Sequence, residues 1–466
     1  MMMTATEAAA RIRAGEVTSR ELTEELLDRI AADTTINAVV ATRAEQALAE
    51  ADAADAALAA ANDGTTGSRH GRVDAAGVGG GGDGVGLGAV GVGALHGVPV
   101  TVKEAFDVVG MATTWGNPAF RRFVAGRDAA VVERLRAAGA VVVGKSNVHA
   151  MLADFGRTVN EVYGRTNNPA DVTRTPGGSS GGGAAALAAG LSYLEYGSDL
   201  VGSIRLPAAY CGVYGLKPTN GLVDLRGFQV PGTPYLPSEL PNLSTLGPLA
   251  NSAEDLRLAL NLTAGPEAPY SWTLQPPRHR RLEDFRVGVV TDHPAARVSS
   301  EVGDVLSDTI DRLARRGVKF VEGWPEGVDP GEQAEAFGEQ VELFFAMHGD
   351  EPSSLTLGQL TDAERRRMQA RARWQRYFED VDVFLCPTSF TVAFPHDVEK
   401  IATSYGEQEY NAQVFWIAHA SLTGHPALNM PIGRTEDGLP VGAQVIGPWH
   451  EDDTAITFAE LVHLAS

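Results

Sequence analysis

The segment from Thr175 to Pro218 constrains this chain more than any other, because it holds two Gly/Ser-rich loops separated by an alanine-rich helical run. The first loop spans Gly177–Gly183 and the second spans Gly197–Ser203. Glycine permits positive φ and lets another backbone or a ligand approach closely. Two such loops predict one site made of backbone amides and serine hydroxyls. Acyl-transfer enzymes use these parts: a nucleophilic hydroxyl and N–H donors for an oxyanion.

The composition predicts a large globular protein and excludes two classes of partner. The chain has 466 residues, of which 44% are hydrophobic. It carries 38 basic and 59 acidic residues, a net charge of −21. Nucleic acids and anionic membranes attract basic surfaces, so neither is an expected partner. The N-terminus has no signal-peptide pattern, and no stretch reaches the roughly 20 apolar residues of a membrane span. We therefore expect a cytoplasmic protein.

The two cysteines, Cys211 and Cys386, lie far apart and form no C-x-x-C pair. This spacing is not typical of a metal site or of a disulfide framework. We expect two buried, reduced thiols.

A single domain with three segments is expected. Thr4 and Thr18 are each followed three residues later by Glu, the pattern of a capping box. The apolar spacing after them predicts an N-terminal helical layer over about 4–61. Residues 62–94 are glycine-rich and low in complexity, which indicates an inserted linker or exposed loop. The catalytic core would then span about 95–466.

Alternating strand and helix patterns predict an α/β fold. Gly97–Lys103 is dense in β-branched residues, Ala129–Ala138 has helical character, and Ala140–Val143 reads as a short buried strand. This order favours a sheet with covered faces. Apolar runs predict further strands, and longer periodic stretches predict helices; the strands are 286–290, 381–385 and 441–446, and the helical stretches are 301–316 and 331–380.

Three motif matches are misleading. Gly139–Ser146 fits the phosphate-binding GxxxxGKS pattern, but its middle residues are strand-like and no strand precedes them. Gly86–Gly91 fits GxGxxG without the strand and helix that a dinucleotide site needs. Gly177–Gly181 fits GxSxG, but the polar, proline-ended lead-in 171–176 is not the buried strand of a nucleophile elbow. We therefore expect neither nucleotide binding nor a Ser-His-Asp hydrolase.

The chain resembles the amidase signature family from about Thr18 to its C-terminus. The resemblance is carried by pieces in a fixed order; they are the strand ending at Lys103, the TRTPGGSSGG loop, 199–218, 381–387, 394–396, 423–428 and 438–442. It implies one large α/β domain with a central mixed β-sheet covered by helices on both faces. It also implies an enzyme that needs no metal or organic cofactor.

The resemblance assigns three catalytic residues. Ser203 would be the nucleophile, Lys103 the base, and Ser179 the bridge between them, preceded by a cis peptide bond. Lysine acts as a base only when it is neutral, so its pKa must fall by several units, and burial at the end of a core strand would lower it. Glu104 would point to the opposite face of the strand. Ser180 is expected to cap the following helix.

The turn before the nucleophile is expected to form the oxyanion hole. The resemblance implies N–H donors from Leu200, Val201 and Gly202, with the bridging serine also contributing to substrate binding. Asp199 and Arg205 would brace the loop by hydrogen bonds. The family usually has two glycines before the nucleophile, whereas this chain has Val201 and one glycine. A valine would be strained if its position required positive φ.

The predicted function is hydrolysis of a small or medium carboxamide to a carboxylic acid and ammonia or an amine. Two alternatives within the family are an amidotransferase subunit that delivers ammonia to a charged tRNA and a hydrolase of urea derivatives or aryl acylamides. A catalytically silent binding protein is a third. Met151, Leu152 and Phe155 are candidates for an acyl channel, with core packing as the alternative. A homodimer is left open.

Overall fold

The computed structural model describes residues 3–64, 92–234, 243–266, 272–348, 354 and 356–465. Within these residues the helices are α1 Ala5–Arg13, α2 Ser19–Ala32, α3 Ala44–Gly64, α4 Ala130–Ala137, α5 Gly181–Ala188, α6 Arg205–Cys211, α7 Ala253–Thr263, α8 Ser300–Arg315, α9 Pro330–His348, α10 Leu357–Tyr377, α11 Val414–Thr423 and α12 Asp452–Leu464.

The strands are β1 Val39–Thr42, β2 Pro99–Lys103, β3 Val141–Ser146, β4 Val159–Asn160, β5 Gly164–Arg165, β6 Glu195–Asp199, β7 Tyr214–Lys217, β8 Thr245–Ala250, β9 Arg286–Val289, β10 Lys319–Glu322, β11 Val383–Pro387, β12 Lys400–Thr403, β13 Gly406–Glu409, β14 Ala427–Arg434 and β15 Pro440–Ile446. Most of the predicted strands are therefore present within a residue or two of their predicted positions.

One mixed sheet of eleven strands organises the described part of the chain. Its order is β1-β3-β2-β6-β8-β7-β14-β15-β11-β9-β10. β3, β2 and β6 run parallel to one another, as do β11, β9 and β10, while the central pairs are antiparallel. Helices flank this sheet, which confirms the predicted α/β class and the single large domain. The predicted helical stretch 331–380 contains two helices, α9 and α10.

The N-terminal helices begin where the sequence predicted. Thr4 and Thr18 each accept a bond from the backbone N–H of the glutamate three residues on, and each glutamate bonds back to its threonine's N–H. Most of the glycine-rich segment predicted as an insertion, residues 65–91, lies outside the described residues, as does the Gly86–Gly91 match. No helix among the described residues is long and apolar enough to span a bilayer.

Close packing of α5 on the sheet brings the two Gly/Ser loops together. A Cβ on Gly182, in the first turn of α5, would lie 2.3 Å from the backbone N of Asn147. Only glycine permits that approach.

Residues 139–146, which match the phosphate-loop pattern, contain β3, so the middle residues of the pattern form a strand and not a loop. Lys145 is buried there and donates to Ala112 O at 2.6 Å.

Candidate active site

Lys103 lies at the end of β2 and bonds to two serines. Its Nζ donates to Ser179 Oγ at 2.8 Å and to Ser198 Oγ at 2.9 Å. The lysine is fully buried, and the two serines are nearly so. The peptide bond before Ser179 is cis, as the family resemblance implied. The first Gly/Ser loop and the end of β6 therefore both contact the amine of Lys103.

Burial lowers the pKa of Lys103 to about 7, and the carboxylates of Asp199 and Glu195 oppose this shift. A buried ammonium loses its hydration, so the neutral amine is favoured. The lysine is therefore able to exchange a proton near neutral pH. Glu104, the next residue, bonds instead to the backbone N–H groups of Thr114 and Trp115.

Glu195, on β6, is a buried carboxyl group near the lysine. It accepts a bond from Ser146 Oγ at 2.8 Å and a short one from Thr101 Oγ1. Burial raises the pKa of Glu195 to about 8, against the effects of these two hydroxyls and of Lys103. Neither Glu195 nor Ser198 was predicted from the sequence. Side chains alternate between the two faces of β6, so positions 195 and 197 point one way and positions 196 and 198 the other. Which residues each face contacts depends on the neighbouring strand, and the sequence alone did not reveal it.

A buried ion pair holds the turn that carries Ser203. Asp199 accepts from the backbone N–H of Gly202 at 2.9 Å and Ile204 at 3.2 Å. Arg205 donates to both carboxylate oxygens of Asp199, at 2.9 and 3.0 Å. Burial would raise the pKa of Asp199, but Arg205 keeps it below its ordinary value. Bidentate pairs of this kind fix geometry as well as charge.

Arg205 also ties the turn to the far side of the domain. Its guanidinium donates to Ile417 O at 3.1 Å and Ser421 Oγ at 2.7 Å, both on α11, and to Gln444 Oε1 at 2.7 Å on β15. These partners satisfy a charge that would be very costly to bury alone. Asp199 and Arg205 therefore brace the loop, and the sequence could not reveal the partners on α11 and β15.

Gly202 is the residue of the turn that requires glycine. Its φ is 84°, and a Cβ there would lie 2.0 Å from Ile417 Cδ1. Val201 does not have a positive φ. The backbone strain considered for Val201 is therefore absent, because the residue with positive φ is Gly202, the next one along the chain.

Ser203 is 7% exposed. Its backbone carbonyl accepts from Ser180 N at 3.2 Å, which joins the two loops. Within the described part of the chain its hydroxyl forms no hydrogen bond.

Ser180 corrects one expectation. It stands at the N-cap position of α5, but its side chain does not cap the helix. Its Oγ donates to Ser198 O at 3.3 Å instead. A side chain aimed at β6 cannot also accept from the first turn of α5, so Ser180 links the first loop to β6.

The loop that follows β3 lies beside the cis peptide. His149 N donates to Ser179 O at 3.4 Å, and Gly178 N donates to Phe155 O at 2.9 Å. Met151 and Leu152 have φ values of 53° and 58°. Non-glycine residues in this region are strained and often occur at functional sites. The loop thus flanks the site, and its role as an acyl channel remains a prediction.

Both cysteines are buried and free, as predicted. No cluster of three or more metal-ligating side chains occurs among the residues that the structure describes.

Comparison with known proteins gives consistent matches along the chain. The Amidase family model matches residues 89–333 and 326–456. The A subunit of the glutamyl-tRNA(Gln) amidotransferase of Acaryochloris marina is 31% identical over 497 residues, covering 95% of this chain and 94% of that protein. The corresponding protein of Thermus thermophilus is 35% identical over 417 residues, covering 78% and 84%.

The chain also matches a solved structure over almost its full length. That structure belongs to a vestigial protein complex that bears on the evolutionary origins of an s-triazine catabolic enzyme. It has a TM-score of 0.78 and 29% identity, and the match covers 99% of this chain and 98% of that one.

Proposed function

Because this chain belongs to the amidase family and is an enzyme that acts on amide C–N bonds, we propose that it hydrolyses a carboxamide through an acyl-enzyme on Ser203. The observation that carries this proposal is the buried Lys103, whose Nζ lies 2.8 Å from Ser179 Oγ. A serine hydroxyl needs a base to become a nucleophile. A lysine with a pKa of about 7 is neutral often enough at physiological pH to serve as one.

The first half of the reaction forms the acyl-enzyme. Ser203 Oγ attacks the carbonyl carbon, and its proton passes through Ser179 to Lys103. The tetrahedral intermediate then collapses as the C–N bond breaks. The leaving nitrogen takes its proton back from Lys103 through Ser179.

The second half releases the acid. Water attacks the acyl ester and gives its proton to Lys103 along the same path. The bond between the acyl carbon and Ser203 Oγ breaks, and Ser203 Oγ regains a proton. The products are a carboxylic acid and ammonia or an amine.

The oxyanion would be held by backbone N–H groups of the turn. Leu200, Val201 and Ser203 are the donors that we propose. The Gly202 N–H is already bonded to Asp199, so Gly202 serves the shape of the turn. Preorganised donors of this kind stabilise the developing charge more than they stabilise the substrate.

Fluorophosphonate labelling with peptide mapping tests the nucleophile. We expect the label on Ser203, and we expect Ser203→Ala to lower kcat for a simple amide by about 10⁴-fold or more. Ser300→Ala, at a serine on the surface helix α8, is the control and should keep full activity. A label on Ser179 would overturn the assignment of roles.

A component of an amidotransferase complex is the second candidate. The observation that favours it is the 31% identity to the A subunit of a glutamyl-tRNA(Gln) amidotransferase over 95% of this chain. Such a protein would work with partner chains. Steady hydrolysis of simple amides by the isolated chain would favour the hydrolase, and activity that requires added partner chains would favour the amidotransferase.

A further inference from the structure

The turn that precedes Ser203 is packed against an apolar wall. Leu200 and Val201 pack on a hydrophobic cluster built from three helices and one loop residue. Its buried members are Phe337 on α9, Ala370 on α10, Ala418 and Leu422 on α11, and Leu243; Val341, Phe344 and Val414 pack on it partly exposed. We call this set the α9–α11 wall. Its buried members differ from those of the main core of the sheet, and Val414 packs on both.

One polar side chain lies on the same face of α9 as the wall. Gln340 is three residues from Phe337 and four from Phe344, the spacing of neighbours on one helix face. It is 4% exposed, and its Nε2 is buried with no hydrogen-bond partner among the described residues. Buried polar groups are nearly always paired, so an unpaired one calls for a partner outside the described residues, and a ligand is one such partner.

Gln333, two turns earlier on the same face, has a different environment. Its Oε1 accepts from Trp374 Nε1 at 3.1 Å and lies 3.2 Å from His419 Nδ1. Its Nε2 also lacks a partner among the described residues, but the carbonyl end holds the side chain between α9, α10 and α11. Gln340 is equally buried and has no such anchor among the described residues, so both ends of its amide are available to a ligand.

Resting on the function proposed above, we propose that the acyl group of the substrate is apolar and uncharged, lies against Val201 and the α9–α11 wall, and is recognised by Gln340 through one neutral polar atom. The leaving nitrogen must take its proton from Ser179, so it lies on the side of Lys103. The acyl group is on the other side of the carbonyl carbon, and we place it along the turn, where Val201 packs on the wall.

This assignment disfavours glutamine as the substrate. Free glutamine would bring an ammonium and a carboxylate to a surface made of Val201, Phe344 and Val414. Burying an unpaired charge in such a place is far more costly than burying a neutral amide. A straight or branched aliphatic acyl group, or an aromatic one, gains from the same contact.

A substrate series tests the wall. With the purified chain, kcat/KM is measured for acetamide, butyramide, hexanamide, benzamide and L-glutamine by ammonia release. We expect a rise of about fourfold for each added methylene, with glutamine the poorest substrate. A flat series, or glutamine as the best substrate, would overturn the inference.

Two neighbouring phenylalanines give a matched pair of variants. Phe344 packs on the wall, whereas Phe345 is 59% exposed. Phe344→Ala should remove most of the preference of hexanamide over acetamide, and Phe345→Ala should keep it. Equal effects of the two variants would contradict the assignment of the wall.

Gln340 is tested by a pair of substrates of equal length. Gln340→Leu should lower kcat/KM for 6-hydroxyhexanamide relative to heptanamide by about tenfold, because the hydroxyl loses its partner. Glu342→Gln, an exposed change on α9, should leave the ratio unchanged. An unchanged ratio in Gln340→Leu would refute the role of Gln340.

Labelling separates the two levels of the proposal. If fluorophosphonate does not modify Ser203 and no amide is hydrolysed, the proposed function fails. If Ser203 is labelled and amides are hydrolysed without the expected preferences, only the inference about the acyl group fails.

Discussion

The Thr175–Pro218 segment and the α9–α11 wall meet at the same turn but are built in different ways. The segment contains the proposed relay serine, the proposed nucleophile and the buried pair Asp199–Arg205, which is formed within the segment itself. The wall draws on three helices between residues 330 and 423. Apart from the base Lys103, the proposed chemistry is thus concentrated in a short stretch of chain, while the surface that would select the substrate is assembled from distant stretches.

The segment is also tied to α11, the helix that contributes Ala418 and Leu422 to the wall. Arg205 donates to Ile417 O and Ser421 Oγ on α11, and the side chain of Ile417 lies against Gly202. A change at either contact should therefore reach the turn from α11. The change that should disturb this junction most is at Gly202.

Gly202→Ala should lower kcat by about 10²–10³-fold, the size of loss expected when an oxyanion donor is displaced, because the proposed donors lie in the same turn. The new Cβ would lie 2.0 Å from Ile417 Cδ1, at a φ of 84°, so the turn must move. Gly232→Ala is a matched control, because Gly232 has the same φ with no neighbour within 4 Å. Steady-state kinetics and thermal unfolding of both variants make the measurement.

A second substitution separates steric contact from backbone strain. In the Gly202→Ala background, Ile417→Ala should restore part of the lost activity if the contact with α11 is the main cause. No recovery would mean that the positive φ alone causes the loss, and the two regions would then be less tightly joined than the distances indicate.

The pH dependence should report Lys103. The proposed mechanism requires the neutral amine, so kcat/KM should fall tenfold for each pH unit below about 7, or about 10²-fold by pH 5. Burial also lowers the pKa of Lys217 to about 7, so that residue is a rival source of the same limb. Lys217→Met should keep the limb, whereas Lys103→Met should abolish activity. A flat profile from pH 5 to 9 would exclude the lysine base.

Ser198→Ala should have a smaller effect, about a tenfold loss of kcat, because Lys103 keeps its bond to Ser179. The ammonium form loses an acceptor, so the apparent pKa of the acid limb should fall. Ser198→Thr retains the hydroxyl and should restore both values. An unshifted limb in Ser198→Ala would show that Ser198 does not position the lysine.

The sequence predicted the residues of the candidate site better than it predicted the wall beside them. Lys103, Ser179 and the turn before Ser203 could be named because the order of their motifs resembles the amidase signature family, and the structure brings Lys103 and Ser179 together. Asp199 and Arg205 were expected to brace the loop, but the partners of Arg205 on α11 and β15 are contributed by tertiary packing. Gln340 carried no signal, since a glutamine in a helical stretch is ordinarily exposed. Its burial becomes visible only when α9 lies against α11.

Val201→Gly is the mildest change and the most direct test of where the two regions divide. Val201 has no positive φ, so glycine relieves no strain there, and its N–H is retained. Only the apolar contact with the α9–α11 wall is lost. We expect kcat for acetamide to stay within about twofold, while kcat/KM for hexanamide falls by about three- to tenfold, the loss expected for a few buried methyl groups. The test is to measure both substrates. An equal loss on acetamide and hexanamide would mean that Val201 takes part in the reaction itself. No loss on either substrate would mean that Val201 does not act with the wall in binding the acyl group.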